Sequence, residues 1–271
     1  MNKYKYKRIF IILWIIILIM ILMGIFFLWP PDSKHENIQL VMRDGVLHEH
    51  NKMSFFGLLV NPAVISAYMV TALLLLSALL IRIFAIPRFT MVPGKFQNIL
   101  ELTVTFFTDM ASANSPHRPR FIGAYIFSAG IYLFFGTLFE LLGVPWLTTN
   151  QLSFSLPAPV SDINAAIAMG ILSYSIILGA GIIHGGVKGC LGVLKDFSLP
   201  ISMSFRLFGS LLSGLLVTEL VYYYVSLSFV LPVIVGVMFT LIHALVQAYV
   251  LATLVSIFYG EAAEPKSSKK T

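Results

Sequence analysis

The stretch LPVIVGVMFTLIHALVQAYVLATLVSIFY, from Leu231 to Tyr259, holds no aspartate, glutamate, lysine or arginine, and its apolar residues cover every side of a helix. A helix in water keeps a polar face, whereas about 20 apolar residues at 1.5 Å each cross the hydrocarbon core of a bilayer. The segment is therefore predicted to span a membrane. His243 and Gln247, four residues apart, share one face of it.

The rest of the chain reads the same way. Of its 271 residues 58% are hydrophobic and 11% charged, and the mean hydropathy of +0.89 is too high for a water-soluble domain of this size. Soluble enzymes and nucleic-acid binders are excluded on that ground. The formal charge of +6 is informative through where the basic residues stand. A single cysteine, Cys190, rules out an internal disulfide framework or a Cys-rich metal or iron–sulfur site, and is expected to pack in a short loop.

Ile9 to Trp29 follows Lys3, Lys5, Lys7 and Arg8 and is longer than a leader's apolar core, so an uncleaved anchor with its N-terminus inside is expected over residues 1–30. Residues 31–54 form a polar outer loop, where His48, Glu49 and His50 lack the third ligand and the geometry of a metal site. Asn61-Pro62 opens a second span reaching Ile81. Gly94 to Ala111 is amphipathic, with Phe96, Ile99, Leu100, Thr103, Phe106 and Phe107 near one face, and should lie along the inner surface. A third span runs from Phe121 to about Leu142 and a fourth from about Asp162 to Ile183, followed by a short glycine-rich loop with Gly185, Gly186, Lys188, Gly189, Gly192 and Lys195. The last two spans, about Ile201 to Val225 and Leu231 to Tyr259, are joined by a turn near Ser226 to Pro232, and Glu261 to Thr271 is an inner tail.

The expected fold is thus all-α and polytopic, with about six membrane helices and both termini on the cytoplasmic side. Of the 18 basic residues, 14 fall inside in this topology and Lys34, Arg43 and Lys52 outside, which satisfies the positive-inside rule. The one left over is Arg206, within a span.

An arginine keeps its proton, and placing it near the bilayer centre costs about 2.5–3.5 kcal/mol on a translocon scale, so it usually faces protein or water. Snorkelling is the structural alternative, since Pro200 lies about 10 Å away along the helix. Ser210, Ser213, Gly214 and Val217 fall on the face of Arg206, which leaves room for a close helix. In an antiparallel hairpin Gln247 stands at about the height of Arg206 and is a candidate amide partner for its guanidinium. Glu219 lies about 20 Å beyond Arg206 towards the outer side, and Glu140, Asp162 and Asn164 sit near the outer ends of their spans. Glu140 and Asp162 could also simply reach interfacial water. Together with His243 all these groups describe a hydrated path for a small cation that ends at Arg206.

PISMSFRLFGSLLSG, followed about 40 residues later by HALVQAYVLATLVSIFY, resembles the signature of subunit a of F-type ATP synthases. FQNILEL, TLFELLGVPW and PAPVSDINAAIAM match in order, so the resemblance covers roughly residues 55 to 260. It implies a membrane stator in which the last two spans form a long tilted hairpin against a c ring. Arg206 faces the ring's carboxylate there, and two offset half-channels couple proton or sodium flow to rotation. It further implies a non-catalytic subunit without cofactor, partnered by the c ring, the peripheral stalk subunit b, the remaining synthase subunits and membrane lipid, in a bacterial plasma membrane or, alternatively, an organellar inner membrane. The family glutamine falls on Gln247, and its outer half-channel positions fall on Glu140, Asp162 and Asn164. The sequence departs from the family at Ser210, where Asn is usual, at Leu215, where a carboxylate or imidazole is usual at or beside the position, and at Thr240, where His or Glu is usual; Glu219 and His243 are candidate replacements for the last two. No phosphate-binding glycine motif occurs. A stand-alone transporter or channel would normally show an internal repeat, and none is visible.

Overall fold

The computed structural model describes residues 15–16, 53–55, 58–116, 119–142, 145–147, 153–223 and 231–264. The chain divides into a unit of Met1–Asn37 and a unit of Ile38–Thr271. In the first, Ile15 and Ile16 are helical and exposed. The rest of the expected anchor, the outer loop up to Lys52 with His48, Glu49 and His50, Arg118, and the tail beyond Glu264 lie outside the described residues.

The second unit contains, among the described residues, six α-helices: α1 (Pro62–Leu80), α2 (Lys95–Asn114), α3 (Pro119–Leu141), α4 (Ile163–Leu194), α5 (Ser198–Tyr223) and α6 (Leu231–Ala263). Among the described residues, four stretches are long and apolar enough to cross a membrane: Pro62–Arg88, Pro119–Leu141, Ile163–Leu194 and Ile234–Ala263. The fold is that of a polytopic helical membrane protein. Two small antiparallel hairpins, which the sequence reading took as loop, accompany the helices. β1 (Met53–Phe55) pairs with β2 (Leu58–Val60), and β3 (Pro145–Leu147) pairs with β4 (Ser153–Ser155).

Local chemistry sets the helix ends. Asn61 caps α1, its Oδ1 accepting from the Ala63 N–H at 3.0 Å, with Pro62 in the first turn where no donor is needed. Beyond Val70 the side chains of α1 are largely exposed, as in Leu73, Leu75, Leu76 and Leu79, which suits a helix that packs at one end and meets lipid elsewhere. α2 forms as its amphipathic pattern predicts, but its apolar residues divide. Phe107 and Ala111 are buried in the core while Phe96, Ile99 and Phe106 stay exposed.

α6 runs through the centre. Ala244, Ala248, Ala252, Ser256 and Gly260, spaced by four, are all buried. Small side chains let helix backbones approach closely in a bilayer, where apolar burial alone gives little drive for association. A step of four residues also drifts around a 3.6-residue helix, so the stripe passes from one neighbour to another. Ala248 stands by Gly130 of α3, whereas Ser256 and Gly260 stand by Met110 and Asn114 of α2. Ser115 Oγ donates to the Ser256 carbonyl at 2.7 Å and Ser256 Oγ donates to the Met110 carbonyl at 3.2 Å, which ties the end of α2 to α6.

The glycine-rich loop expected after the fourth span is helical and reverses direction. Gly186 has φ 55° and ψ −142°, a conformation in which a Cβ would clash with the backbone. The segment after it folds back along α4, as the Tyr174 hydroxyl shows by donating to the Val193 carbonyl at 3.2 Å. Cys190 therefore sits in a helical turn, half-buried, not in a loop.

This fold-back sets the position of Arg206. A Cβ on Gly170 would come within 2.8 Å of the Pro200 carbonyl, so α5 begins beside Gly170. Gly170 is 15 residues, about 22 Å, from the Gly185–Gly186 turn along α4. Pro200 therefore stands well away from the Gly186 turn, and α5 does not start at that end of the bundle.

Candidate functional site

α5 and α6 are antiparallel, and three contacts fix their register. Gln247, 5% exposed, donates from Nε2 to the Arg206 backbone carbonyl at 3.5 Å and to the Ser210 hydroxyl. Ser210 Oγ in turn donates to the Leu207 carbonyl at 3.1 Å. One turn further along, the His243 ring lies against Gly214, whose missing Cβ would stand 3.6 Å from Nδ1. The ring also approaches Phe239, with centroids 5.8 Å apart.

Gln247 thus stands level with Arg206, as equal arm lengths predict, but its amide does not take the guanidinium. It grips the carbonyl of Arg206 and the neighbouring hydroxyl. The arginine side chain is exposed, and among the described residues no carboxylate pairs with it. Gln247 Oε1 is buried without a hydrogen-bond partner among the described residues. A buried acceptor left unpaired costs roughly 1–3 kcal/mol, so this amide is held by its donor side alone.

The bare face predicted around Arg206 serves α6. Ser210 supplies the acceptor and Gly214 the space for the imidazole. Ser213 is exposed, its hydroxyl donating to the Ser210 carbonyl at 2.8 Å. The backbone of Glu219 is in α5, five residues or about 7.5 Å beyond Gly214, so His243 and Glu219 are offset along the hairpin. The Glu219 side chain lies outside the described residues.

The other carboxylates collect at one end. Gly136 of α3 meets Pro159, its Cβ position 3.5 Å from the proline ring. Glu140 follows Gly136 by one turn and Asp162 follows Pro159 by three residues, which puts both near this contact. Glu140 is half-buried near the end of α3. Asp162 is 9% exposed and caps α4, its Oδ1 accepting from the Asn164 N–H at 3.0 Å and from Asn164 Nδ2 at 3.2 Å. An aspartate directly before a helix is a cap signal the functional reading passed over.

A second acidic group was not foreseen. Asp196, Glu261 and Glu264 line a cavity of about 480 Å³ with Gly185, Gly189 and Leu199. It lies at the Gly186 end of α4, between the fold-back and the end of α6. Reading residues 185–195 as loop and Glu261 onward as tail concealed it, because only the reversal at Gly186 brings them together. Tyr125 and Ser173, hydrogen-bonded across α3 and α4 at 2.8 Å, were also missed. Neither belongs to a polar motif in the sequence.

The arrangement is therefore a helix hairpin with an exposed cation, an amide fixing that point, and carboxylates towards both ends. This is suited to meeting an ionisable group on another membrane component. The sequence model of the ATP synthase A chain family matches residues 64–260, which takes in α2 to α5 whole and most of α1 and α6, with Arg206, Ser210, His243, Gln247, Glu140 and Asp162 but not Glu261 or Glu264, so this chain belongs to the ATP synthase A chain family and is a membrane stator subunit of that complex, not its catalytic part.

Proposed function

We propose that the chain carries the ion path of the synthase, with Arg206 as the group that separates two half-channels and the c ring as the partner seated against α5 and α6. The observation that carries this reading is the exposure of Arg206 on a hairpin whose backbone is pinned there by Gln247. A fixed positive charge favours the ionised form of a carboxylate brought beside it, and only while it is beside it. A ring carboxylate passing Arg206 would release its ion and could not carry it straight across.

On this reading the outer half-channel uses Glu140, Asp162, Asn164, Glu219 and His243, with Ser210 positioning Gln247. The offset of Glu219 from His243 favours a path linked by water over a direct pair. The acidic cavity of Asp196, Glu261 and Glu264 suits the inner access route, since its charge attracts cations. The ion is a proton or sodium, the stalk partner is subunit b, and a bacterial plasma membrane with both termini cytoplasmic is the setting. The parts proposed are an N-terminal anchor over 1–30, an outer loop over 31–54, the membrane domain over 55–260 and a tail over 261–271.

The test is ATP-driven acidification of inverted vesicles carrying the complex with Arg206→Ala beside wild type, with sodium uptake measured if wild type moves no protons. Loss of pumping in an assembled complex is expected. Normal pumping would remove Arg206 from the path.

A further inference from the structure

The chain turns between the Pro62–Arg88 span and α2 through residues 89–94, and the turn bounds a cavity of about 520 Å³. Arg88 and Lys95 line it from its two sides, and among the described residues no carboxylate does. Both cations are exposed, and neither is in an ion pair among the described residues. Glu101, the first acidic residue after the turn, is directed to Gln97, whose Nε2 donates to it at 2.7 Å.

The turn has a built shape. Gln97 is 9% exposed and closes it, Oε1 accepting from the Thr90 N–H at 3.1 Å and Nε2 donating to the Thr90 carbonyl at 2.9 Å. α2 starts at Lys95 with Gly94 as a cap that supplies no side-chain acceptor, and its first turn has no acidic residue. The positive end of the helix therefore adds to the potential of the two side chains.

The apolar part of the site has the opposite character. Phe84 and Phe96, which line the cavity, are 57% and 56% exposed, and Met91 and Val92, in the turn between the lining residues Thr90 and Gly94, are 101% and 83% exposed. A free anion gains nothing from these groups, while an acidic phospholipid joins a phosphate to acyl chains in one molecule. We propose that this cavity seats the phosphate of an acidic phospholipid between Arg88 and Lys95, with its acyl chains against Phe84, Met91, Val92 and Phe96. The site anchors the interfacial helix α2 to the membrane surface. It rests on the chain being a membrane protein and not on the ion path at Arg206.

The experiment uses the complete chain in its purified complex, stripped of lipid in a non-ionic detergent and titrated with radiolabelled phosphatidylglycerol. Wild type is expected to retain a tight phosphatidylglycerol that phosphatidylcholine and excess inorganic phosphate do not displace. The double variant Arg88→Gln/Lys95→Gln should bind it roughly ten- to thirty-fold more weakly, given the usual gain per basic residue at an anionic surface. Lys188→Gln/Lys195→Gln should leave that affinity unchanged. Met91→Ser/Val92→Ser, which keeps both cations, should also weaken retention and covers the case in which the charge variant fails to assemble. Equal retention by the charge variant, equal displacement by phosphatidylcholine, or displacement by inorganic phosphate would each overturn the assignment.

Discussion

Gln247 Nε2 meets the backbone carbonyl of Arg206 at 3.5 Å and the hydroxyl of Ser210, so one buried amide joins the last two helices beside an exposed guanidinium. Because the bond goes to main chain, the arginine's position is fixed while its charge stays available. The helix hairpin and the cation it displays are thereby mechanically linked.

Ser210→Ala removes the acceptor that Gln247 uses and leaves the amide with the Arg206 carbonyl. The expected loss is about 1–3 kcal/mol of stability in the hairpin, together with slower ATP-driven pumping per assembled complex. Ser210→Asn, which restores an acceptor, should recover part of the rate. Identical vesicle pumping by all three would mean that Ser210 does not position the amide.

At Gly214 a methyl would stand 3.6 Å from His243 Nδ1, an ordinary contact. Gly214→Ala should therefore pump close to wild type. Gly214→Leu overpacks the hairpin, a change that typically costs about 1–3 kcal/mol, and should lower both pumping and the thermal midpoint of the complex. A leucine variant indistinguishable from alanine in both readouts would show that the two helices do not hold this approach.

Gly186 separates backbone strain from crowding. A Cβ there meets nothing within 4 Å, yet φ is 55°. Gly186→Ala and Gly186→Val should both destabilise by roughly 1–3 kcal/mol. Gly185→Ala, which has equally open space and no positive φ, should be neutral. Thermal unfolding of the solubilised complex reads the difference, and equal midpoints for the 185 and 186 variants would refute the fold-back.

Ser115 and Ser256, 1% and 0% exposed, fasten α2 to α6. Ser115→Ala and Ser256→Ala are each expected to lower stability by about 1 kcal/mol. Each hydroxyl bonds a main-chain carbonyl that the other substitution leaves in place, so the two losses should add to within about 0.5 kcal/mol in the double variant. A double variant that loses much less than the sum in thermal unfolding would show that the two bonds do not act separately.

Much of the fold could be read from local pattern. The spans follow from apolar length, the start of α1 from Asn61-Pro62, and the equal height of Arg206 and Gln247 from equal distances to the intervening turn, though not the acceptor that Gln247 takes. The capping role of Asp162 was legible too, since an aspartate before a helix carries that signal, but attention to its charge displaced it. Glu140 and Asp162 are separated in the chain by a polar loop and come to one end through the Gly136 to Pro159 contact.

What the sequence by itself determined is which segments are long and apolar enough to cross a membrane, and that Arg206 is a cation within a largely apolar helix. Hydrophobicity and helical rise are properties of a single segment and need no partner. Only the tertiary structure decided that residues 187–194 fold back at Gly186, that α5 starts about 22 Å along α4 from that turn, and that Gln247 turns its amide to Ser210 and to the Arg206 carbonyl. Each depends on two segments meeting: a glycine permits a positive φ without requiring it, and a buried amide bonds whichever acceptor packing brings within reach.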